Sequence, residues 1–361
     1  MLAAPRRFYS LDALRGLAAL SVVFWHWQHF FHRSTEYGQI YVDQFPLYDF
    51  FFPLYLKGWI AVDLFFSLSG FIFYWLYAAQ VRAQKVSARD FFVLRFSRLY
   101  PLHLLTLLAV AAGQASLLST TQSYFIYPWN DLYHFLLNVL FIPAWGLQRG
   151  DSFNAPVWSV SVEVFLYLAF FIVCRLLPVR ALALALLAAA GFFVVQPFLL
   201  SIGRGIFSFF IGGCAFLLYE HIVRKNLVQK LAMPLVLLMA GLWVAVAAGI
   251  KLQMNVNFGC RFILFPVTIL ALAVLETKRG SFGARLAFLG DISYSSYLLH
   301  FPLQLAFIGM AMALDLQRAF FLSTWVFLLF FAVLLTLSWC SFHFLEVPAQ
   351  SWMRRRWLHH R

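Results

Sequence analysis

Long apolar runs recur along the whole chain, and they restrict what it can fold into more than any other feature. A run of about 20 apolar residues is long enough to cross a bilayer as a helix. Inside a bilayer the backbone must satisfy its own hydrogen bonds, which a helix does within one segment. The sequence therefore predicts an all-α, polytopic transmembrane helical bundle of about ten spanning helices. The runs lie at residues 10–31, 58–81, 92–117, 156–177, 180–201, 203–221, 231–250, 258–276, 290–313 and 319–344.

The composition excludes a soluble globular protein. Of the 361 residues, 63% are hydrophobic and 11% are charged, whereas soluble domains average about 45–50% and about 25%. No change of composition divides the chain, so residues 1–361 are predicted to form a single transmembrane domain surrounded by membrane lipids. The first apolar run is followed by no small-residue cleavage site and contains charges, so it is interpreted as a retained helix.

The basic residues predict an orientation. The formal net charge is +13, but lysine and arginine are spread between the apolar runs, which argues against nucleic acid as a partner. If the N-terminus is cytoplasmic, 19 basic residues fall on that side and 7 on the other, and Arg15 inside the first helix completes the 27. Short cytoplasmic loops are enriched in lysine and arginine. Both termini are therefore predicted to be cytoplasmic.

The four cysteines are isolated within apolar runs. They have neither the spacing of a zinc site nor a C-x-x-C pair, so they are interpreted as packing residues. No metal is expected.

Two predicted outer loops, residues 32–57 and 118–155, are long and rich in aromatic residues. Loops of this length are often functional. Their aromatic rings and scattered polar groups suit either sugar faces or a membrane interface. Residues 132–145 of the second loop are apolar but too few to span a bilayer, so they are interpreted as a re-entrant or interfacial segment.

The first apolar run carries the ionisable residues Asp12, Arg15 and His26 well inside it. A charge at the middle of a membrane helix costs about 2.5 to 3.5 kcal/mol on insertion scales, so such residues usually mark functional sites. Eleven helical steps place His26 about 16 Å from Arg15, towards the outer face. A histidine can take a proton from a hydroxyl or attack an acyl carbon. The alternative is a structural histidine whose hydrogen bonds are made to a neighbouring helix. This alternative is stronger for His29 and His32, which lie nearer the interface, than for His26.

Two acidic residues lie at a depth similar to that of His26. Counted from the outer face, Asp63 is a little more than one turn into the second run, and Glu163 is about two turns into the fourth. A carboxylate at this level can orient a catalytic histidine, as in a hydrolase triad. The alternative is that these acids hold loops down by pairing with basic residues, although a buried acid is a costly tether. The basic residues considered are Arg149, Lys57 and Arg33.

Arg95 and Arg98 form the segment R-F-S-R at the cytoplasmic start of the third run. Residues three apart share a helix face, and two guanidinium groups on one face can bind a phosphate. With Arg15 on the same side, the pattern favours a phosphate-rich donor that enters from the cytoplasm. The alternative is ordinary anchoring to lipid headgroups.

Three further segments carry hydroxyl groups on apolar helices: S-L-S-G-F at 67–71, W-S-V-S-V-E at 158–163 and I-S-Y-S-S-Y-L-L-H-F-P at 292–302. Such hydroxyls usually close helix contacts, and Gly70 allows close approach. The third segment contains Tyr297 and His300. Its Pro302 frees a backbone carbonyl that needs a partner. His300 is either catalytic or the group that satisfies this carbonyl.

Taken in order, these segments resemble the acyltransferase-3 family, whose ten-helix membrane enzymes O-acylate bacterial surface glycans and some small molecules. The resemblance covers nearly the whole chain. Ala61, Leu94 and Val160 depart from residues common in the family, but none of these changes removes a reactive group. The matching segments are L-D-A-L-R-G-L-A-A-L with R-x10-H from Arg15 to His26, G-W-I-A-V-D-L-F-F-S-L-S-G-F, R-F-S-R-L-Y-P, W-S-V-S-V-E, I-S-Y-S-S-Y-L-L-H-F-P and L-E-V-P.

The resemblance implies that His26 is the essential histidine, that Arg15 is its partner and that Glu163 is important. It also implies that Arg95 and Arg98 help to bind an acyl-CoA donor. Together with the argument from depth, this gives four candidate catalytic residues: His26, Asp63, Glu163 and Arg15. The candidates for binding the donor are Arg95, Arg98 and Arg15. Asp12, His300 and Tyr297 are additional candidates.

The predicted function is that of a bacterial inner-membrane O-acyltransferase. It moves an acyl group, most simply acetyl from acetyl-CoA, from the cytoplasm to a hydroxyl of an extracytoplasmic glycan or lipid-linked glycan. No fused extracytoplasmic domain is expected after the short basic tail. Two alternatives stay open: a small-molecule acceptor, and a transporter that uses the intramembrane charges.

Overall fold

The computed structural model describes residue 5, residues 7–31 and residues 42–358. Arg6, His32, Arg33 and Arg361, which enter the charge pattern and the alternatives above, lie outside the described residues. Throughout the described ranges the chain is helical and forms no β-strand. The helices, with 3-10 and π turns included where they continue one axis, are α1 (Tyr9–Trp25), α2 (Tyr48–Arg82), α3 (Ala88–Thr121), α4 (Leu132–Val139), α5 (Ala155–Leu176), α6 (Ala181–Val195), α7 (Leu200–Arg224), α8 (Val228–Lys251), α9 (Asn257–Arg279), α10 (Ala287–Asp291), α11 (Ser293–Ala313) and α12 (Thr324–Trp357).

The predicted all-helical membrane fold is confirmed. In the described part of the chain, eight helices are long and apolar enough to cross a membrane. The other two predicted runs are helical but shorter: α1 is followed by the 3-10 helix His26–Phe30, and the run at 180–201 forms α6.

Two parts of the predicted outer loops are helical, and the last helix is longer than predicted. Residues Tyr48–Lys57, assigned to the first outer loop, form the first part of α2, because their aromatic side chains pack; Tyr55 lies in a buried aromatic cluster. In the second loop, α4 occupies part of the segment interpreted as re-entrant or interfacial. At the C-terminal end of the described chain, α12 continues after a π turn at Phe342–Glu346 and runs through the basic tail to Trp357.

The chain divides into two compact units, and each contains segments that are distant in sequence. The first unit comprises Met1–Ala18, Trp59–Ser87 and Glu163–Asp291, and the second comprises Ala19–Gly58, Ala88–Val162 and Ile292–Arg361. The helices α1, α2 and α5 each contribute residues to both units.

In the first unit, α2 and α7 cross at closely packed glycines. A Cβ at Gly70 would meet the backbone carbonyl of Phe209, and a Cβ at Gly212 would meet that of Ser67. Small residues at a membrane helix crossing let the two backbones approach and gain van der Waals contact. This crossing holds in place the part of α2 that carries Asp63.

The start of α1 is also fixed within the first unit. The buried carboxylate of Glu276 on α9 accepts hydrogen bonds from the backbone N–H groups of Tyr9 and Ser10, at 2.8 and 2.9 Å, and from the Ser10 hydroxyl at 2.6 Å. These are N–H groups that the first turn of a helix cannot satisfy. A negative group also complements the positive end of the helix dipole.

The second unit has a core rich in aromatic side chains. The Trp27 ring lies 5.1 Å from that of Phe327, and the Phe30 and Phe321 rings stack at 4.1 Å. The residues Trp27 and Phe30 belong to the 3-10 helix that carries His26, so this packing holds the histidine-bearing segment in place. The helix α11 packs against both α3 and α12 within this unit.

Candidate active site

His26 lies where the first helix changes type. The α-helix ends at Trp25, and His26 is the first residue of the 3-10 helix. A change from α to 3-10 geometry leaves backbone carbonyls for other partners. The carbonyl of His26 accepts a hydrogen bond of 2.8 Å from the side-chain amide of Gln304 on α11. The His26 residue is only 6% exposed.

A second histidine stacks on His26. The ring of His300, on α11, lies 4.8 Å from that of His26 with 26° between the ring planes, and His300 is fully buried. Residues 300 and 304 are one helical turn apart and so share a face. One face of α11 therefore contacts both the ring and the backbone of His26.

Gln304, which no sequence motif singled out, joins two histidines. Its amide nitrogen donates to the His26 carbonyl, so its oxygen must be the acceptor in the 3.0 Å hydrogen bond with Nδ1 of His29. His29 therefore carries a proton on Nδ1. The hydroxyl of Tyr127 lies 3.4 Å from Nε2 of the same ring, where neutral His29 has a lone pair. The rings of His26 and His29 are 4.6 Å apart.

His300 is not the hydrogen-bond partner of the backbone carbonyl that Pro302 frees. Proline lacks the N–H that would bond four residues back, to Leu298. The Leu298 carbonyl instead accepts a hydrogen bond of 3.0 Å from Asn154, a residue that is 1% exposed. His300 bonds through Nδ1 to the carbonyl of Tyr297. Of the two explanations for His300, the one based on the freed carbonyl is therefore wrong.

Tyr297 joins two of the predicted segments. Its hydroxyl donates to the carbonyl of Pro156 at 2.8 Å and lies 2.8 Å from the Ser159 hydroxyl of the W-S-V-S-V-E segment. The Ser159 hydroxyl also donates to the Pro156 carbonyl, at 3.3 Å, so both hydroxyls meet the same acceptor. These contacts fix the turn of α11 that presents His300.

Arg95 and Arg98 are accompanied by a third basic residue. Arg95 is 9% exposed and Arg98 is half-buried, both on α3. The guanidinium of Arg354, on α12, donates to the Ser97 hydroxyl and to the Leu94 carbonyl, both at 3.3 Å. Arg354 belongs to the short basic tail of the sequence. We call these three arginines the basic cluster.

The segment L-E-V-P meets the segment that carries His300. Glu346 is 8% exposed, accepts a hydrogen bond from the Ser295 hydroxyl, and lies 3.1 Å from the Ser341 hydroxyl. Its carboxyl also interacts electrostatically with Arg98. Glu346 thereby connects the start of α11 with the basic cluster.

Asp63 forms a buried ion-pair cluster in the first unit. Its Oδ2 lies 2.9 Å from Nη2 of Arg204 and 2.9 Å from Nε of Arg261, and its side chain is 1% exposed. Both guanidinium groups lie over the ring of Trp59, at 5.2 and 5.8 Å. Arg261 is presented by a π turn, a feature often found at functional sites.

The partners of the two acids differ from those proposed in the sequence analysis. Asp63 pairs with Arg204 and Arg261, which were not among the basic residues considered as its partners, while Arg149 lies over the Tyr133 ring at 5.6 Å. Glu163 accepts a hydrogen bond of 2.9 Å from Ser69, which joins the W-S-V-S-V-E and S-L-S-G-F segments. The action of Asp63 and Glu163 on His26 stays a prediction.

Asp12 and Arg15 belong to a charged network at the start of α1. Arg15 donates to the carbonyl of Gly290 at 2.7 Å and lies 3.4 Å from the Asp12 carboxylate. Arg7 bridges Asp12 and Asp291, at 2.6 and 2.7 Å. The network fixes the Arg15 side chain within the first unit.

The described residues thus place the predicted positions in two groups. His26, His300, Tyr297, Arg95 and Arg98 lie in the second unit, where the two histidines are in contact. Arg15, Asp12, Asp63 and Glu163 lie in the first unit. Within the described ranges, no three histidine, cysteine, aspartate or glutamate side chains are grouped so as to hold a metal ion.

The helices and the stacked histidines define a class: a polytopic membrane protein with buried imidazole groups and a basic cluster in one compact unit. Residues 8–343 match the acyltransferase domain family. The chain therefore belongs to this family, which is the one that its motifs indicate.

Curated relatives match parts of the chain. Protein 2 in the picA locus of Rhizobium radiobacter is 35% identical over 108 residues, which are 30% of this chain and 46% of the relative. Acyltransferase MdmB of Streptomyces mycarofaciens is 31% identical over 202 residues, 54% of this chain and 47% of the relative. The chain thus spans about half the length of these two relatives.

A third relative is matched over more of its length. ORF330 of the Acidianus two-tailed virus is 22% identical over 300 residues, 80% of each chain. No solved structure matches the chain.

Proposed function

We propose that this protein is a membrane O-acyltransferase. It takes an acetyl group from cytoplasmic acetyl-CoA and transfers it to a hydroxyl of an extracytoplasmic glycan, such as an O-antigen or an exopolysaccharide, in a bacterial inner membrane. The observation that carries the proposal is the burial of His26 against a second imidazole within a chain of the acyltransferase domain family. Buried imidazoles are suited to acyl transfer because they act as nucleophile or base near neutral pH.

The basic cluster supports a phosphate-bearing donor. Arg95, Arg98 and Arg354 lie near one another at the end of α3 that is predicted to be cytoplasmic, and guanidinium groups bind phosphates through paired N–H donors. The phosphates of CoA would bind here. The acyl end would then extend into the membrane towards the histidines.

The length of the first helix supports transfer across the membrane. Arg15 and His26 are separated by eleven helical steps, or about 16 Å. Arg15 lies towards the predicted cytoplasmic end and His26 towards the predicted outer end. A donor bound on the inner side therefore has to deliver its acyl group over this distance to reach an external hydroxyl.

An external acceptor is also consistent with the side chains of the second long loop. Trp129 and Tyr133 are 37% and 44% exposed. Exposed aromatic rings can pack against the apolar faces of sugars. These rings would lie on the acceptor side in the predicted orientation.

The proposal is tested with purified protein in lipid nanodiscs, acetyl-CoA labelled in the acetyl group, and a panel of bacterial glycans and small alcohols. We expect the wild-type protein to consume the thioester and label a glycan, and His26→Ala to abolish both. His343→Ala, at an exposed histidine of α12, is the matched control and should keep wild-type turnover.

A second variant tests the donor site. Arg98→Ala should raise the KM for acetyl-CoA more than it lowers kcat, because it removes a phosphate contact and leaves the reacting groups in place. Transfer to a small alcohol but to no glycan would overturn the acceptor assignment. Near-normal turnover of His26→Ala would overturn the role of that histidine.

A further inference from the structure

His300 has a defined protonation pattern and an unused nitrogen. Its Nδ1 bonds to the carbonyl of Tyr297, and a carbonyl can only accept, so Nδ1 carries the proton. In the neutral ring Nε2 then holds a lone pair. Among the residues that the structure describes, this buried Nε2 has no hydrogen-bond partner.

An unpartnered polar atom in a buried site needs an explanation, because it costs about 1–3 kcal/mol. Helix packing does not provide one, since Asn154 already satisfies the carbonyl that Pro302 frees. The Nδ1 bond nevertheless fixes the ring in one tautomer. The result is a base held in a fixed orientation against the ring of His26.

From this arrangement, and on the basis of the function proposed above, we propose that the two histidines have separate roles. His26 carries the acyl group, and Nε2 of His300 takes the proton from the acceptor hydroxyl. His300 is thereby assigned as a catalytic residue that acts in the second half of the reaction.

In the first step a ring nitrogen of His26 attacks the thioester carbonyl, and the C–S bond breaks with its electron pair leaving on the CoA thiolate. In the second step the acceptor oxygen bonds to the acyl carbon. The C–N bond breaks, its electron pair returns to His26, and the hydroxyl proton moves to Nε2 of His300. His300 then releases its proton to solvent and the thiolate takes up a proton from solvent, so the products are an ester and CoA with a free thiol.

The close stacking of the rings suits this order of events. An acyl group on His26 gives that ring a positive charge, and a second positive charge on the neighbouring ring is disfavoured in a buried site. The lone pair of His300 is therefore retained while the acyl-enzyme exists. As the acyl group leaves, the positive charge on His26 disappears and a proton on His300 is tolerated.

The experiment separates the two half-reactions. Protein in nanodiscs is acylated with labelled acetyl-CoA, and the loss of label from the protein is followed with two nucleophiles. Glycerol needs a base to remove its proton, whereas hydroxylamine attacks acyl-imidazoles without one. The variant is His300→Asn, whose amide can keep the bond to the Tyr297 carbonyl but has no base at the position of Nε2.

We expect His300→Asn to become acylated at close to the wild-type rate. Its deacylation by glycerol should fall by about a hundredfold or more, the contribution of a positioned base, while deacylation by hydroxylamine should stay within about threefold. His343→Asn is the control, because His343 makes the same kind of Nδ1–carbonyl bond at an exposed position. It should match the wild type with both nucleophiles.

Equal slowing with both nucleophiles, loss of acylation in a folded His300→Asn, or unchanged transfer to glycerol would each overturn the proposal. If His300→Asn fails to fold, the same comparison is made with His300→Gln. A wild-type protein that transfers acetyl without forming an acyl-enzyme would overturn the separate roles but leave the proposed acyltransferase function intact. A wild-type protein that consumes no acetyl-CoA would overturn the function itself.

Discussion

The carboxylate of Asp63 lies between two guanidinium groups in a site where its side chain is 1% exposed. Removing one partner from a buried ion pair costs about 3–5 kcal/mol, because it leaves a buried charge uncompensated. We therefore expect Asp63→Asn to lower the stability of the protein by several kcal/mol, measured as a clear fall in the unfolding temperature in detergent.

The matched control for Asp63 is an acid in an exposed ion pair. Asp291 bonds to Arg7, and their side chains are 36% and 44% exposed. Exposed pairs contribute at most about 1 kcal/mol, so Asp291→Asn should change the unfolding temperature little. Similar unfolding temperatures for the two variants would show that the Asp63 cluster contributes no more to stability than a surface pair.

Gln304 connects the backbone of His26 with the side chain of His29. Gln304→Leu keeps the approximate volume and removes both hydrogen bonds, each buried. The loss of a buried hydrogen bond costs about 1–3 kcal/mol. If Gln304 positions His26 for the reaction, a cost of this size is added to the activation barrier, and turnover should fall about ten- to a hundredfold. The measurement is the rate of acetyl-CoA consumption.

Gln114 provides the comparison for Gln304. It is also buried in the second unit, at 1% exposure, and its amide bonds to both the N–H and the carbonyl of Phe125. We expect Gln114→Leu to lower the unfolding temperature about as much as Gln304→Leu does, with a smaller loss of turnover. An equal loss of turnover in both variants would indicate general destabilisation and contradict the positioning role.

His26 was predictable from the sequence and Gln304 was not, for a physical reason. A histidine in an apolar run stands out because its transfer into lipid is costly, and this cost is visible without knowing its neighbours. An uncharged amide gives no such signal, and its two partners lie 275 and 278 positions away in the sequence. The pairing of Asp63 with Arg204 and Arg261, across 141 and 198 positions, was hidden in the same way.

At the scale of helices, the crossing of α2 and α7 depends on residues without side chains. A Cβ at Gly70 would collide with the backbone carbonyl of Phe209, which cannot move aside as a flexible side chain could. Overpacking of this kind costs about 1–3 kcal/mol. We expect Gly70→Ala to lower the unfolding temperature and the yield of folded protein.

Gly241, on α8, is the control for the α2–α7 crossing. A Cβ at Gly241 would meet no atom within 4 Å. Since alanine is favoured over glycine in a helix by about 0.5–1 kcal/mol, Gly241→Ala should leave the unfolding temperature unchanged or raise it. A Gly70→Ala protein as stable as Gly241→Ala would contradict the close approach of α2 and α7.

The short helix α4 depends on an acid at its start. Asp131 accepts hydrogen bonds from the backbone N–H and from Nδ1 of His134, at 2.9 and 2.8 Å. The backbone bond, followed by the side-chain bond, lowers the pKa of the Asp131 carboxyl below its ordinary value. A group whose pKa is lower in the folded state stabilises that state above its unfolded pKa, and this stabilisation is lost as the pH falls through the folded pKa.

We therefore expect acidification to loosen α4 selectively. The protection of its amides against hydrogen exchange should be constant from neutral pH down to the ordinary aspartate pKa of about 3.9 and should decline below it. Asp131→Ala should show weak protection already at neutral pH and no further loss in this range. An α4 that keeps full protection at the lowest pH in the wild type would contradict this role of the cap.

The positions of the helices were predictable because length and hydropathy are local properties. All ten predicted runs are helical in the described part of the chain, and the differences lie at their ends. Tyr48–Lys57 was assigned to a loop since its aromatic residues suit an interface as well as a core. Its position in a core is visible only in the packing of the Tyr55 ring against the rings of Phe24 and Phe45, at 5.4 and 5.2 Å.

At the scale of the whole molecule, the proposed reaction depends on which end of each helix faces the cytoplasm. The predicted orientation rests on the 19 basic residues assigned to one side against the 7 on the other. It places Arg15 and the basic cluster on the donor side and His26 towards the acceptor side. An inverted protein would present its basic cluster to the outside, where CoA is not supplied.

The two ends of α8 provide a matched test of this orientation. Asn226 and Asn255 are exposed residues in the short connections before and after this helix. Each is replaced by cysteine in a background without the four native cysteines. In intact cells, a maleimide that cannot cross membranes should label Asn255→Cys and should label Asn226→Cys only after permeabilisation.

The labelling result bears on the mechanism because α8 is a single 24-residue helix, long enough to cross the bilayer. Labelling of Asn226→Cys alone in intact cells would invert the orientation and contradict transfer from a cytoplasmic donor, even if the isolated protein consumed acetyl-CoA. Labelling of both sites would show that α8 does not span the membrane. The predicted pattern would place His26, which follows α1 at about 16 Å from Arg15, nearer the outer face, where an extracytoplasmic hydroxyl has to meet the acyl group.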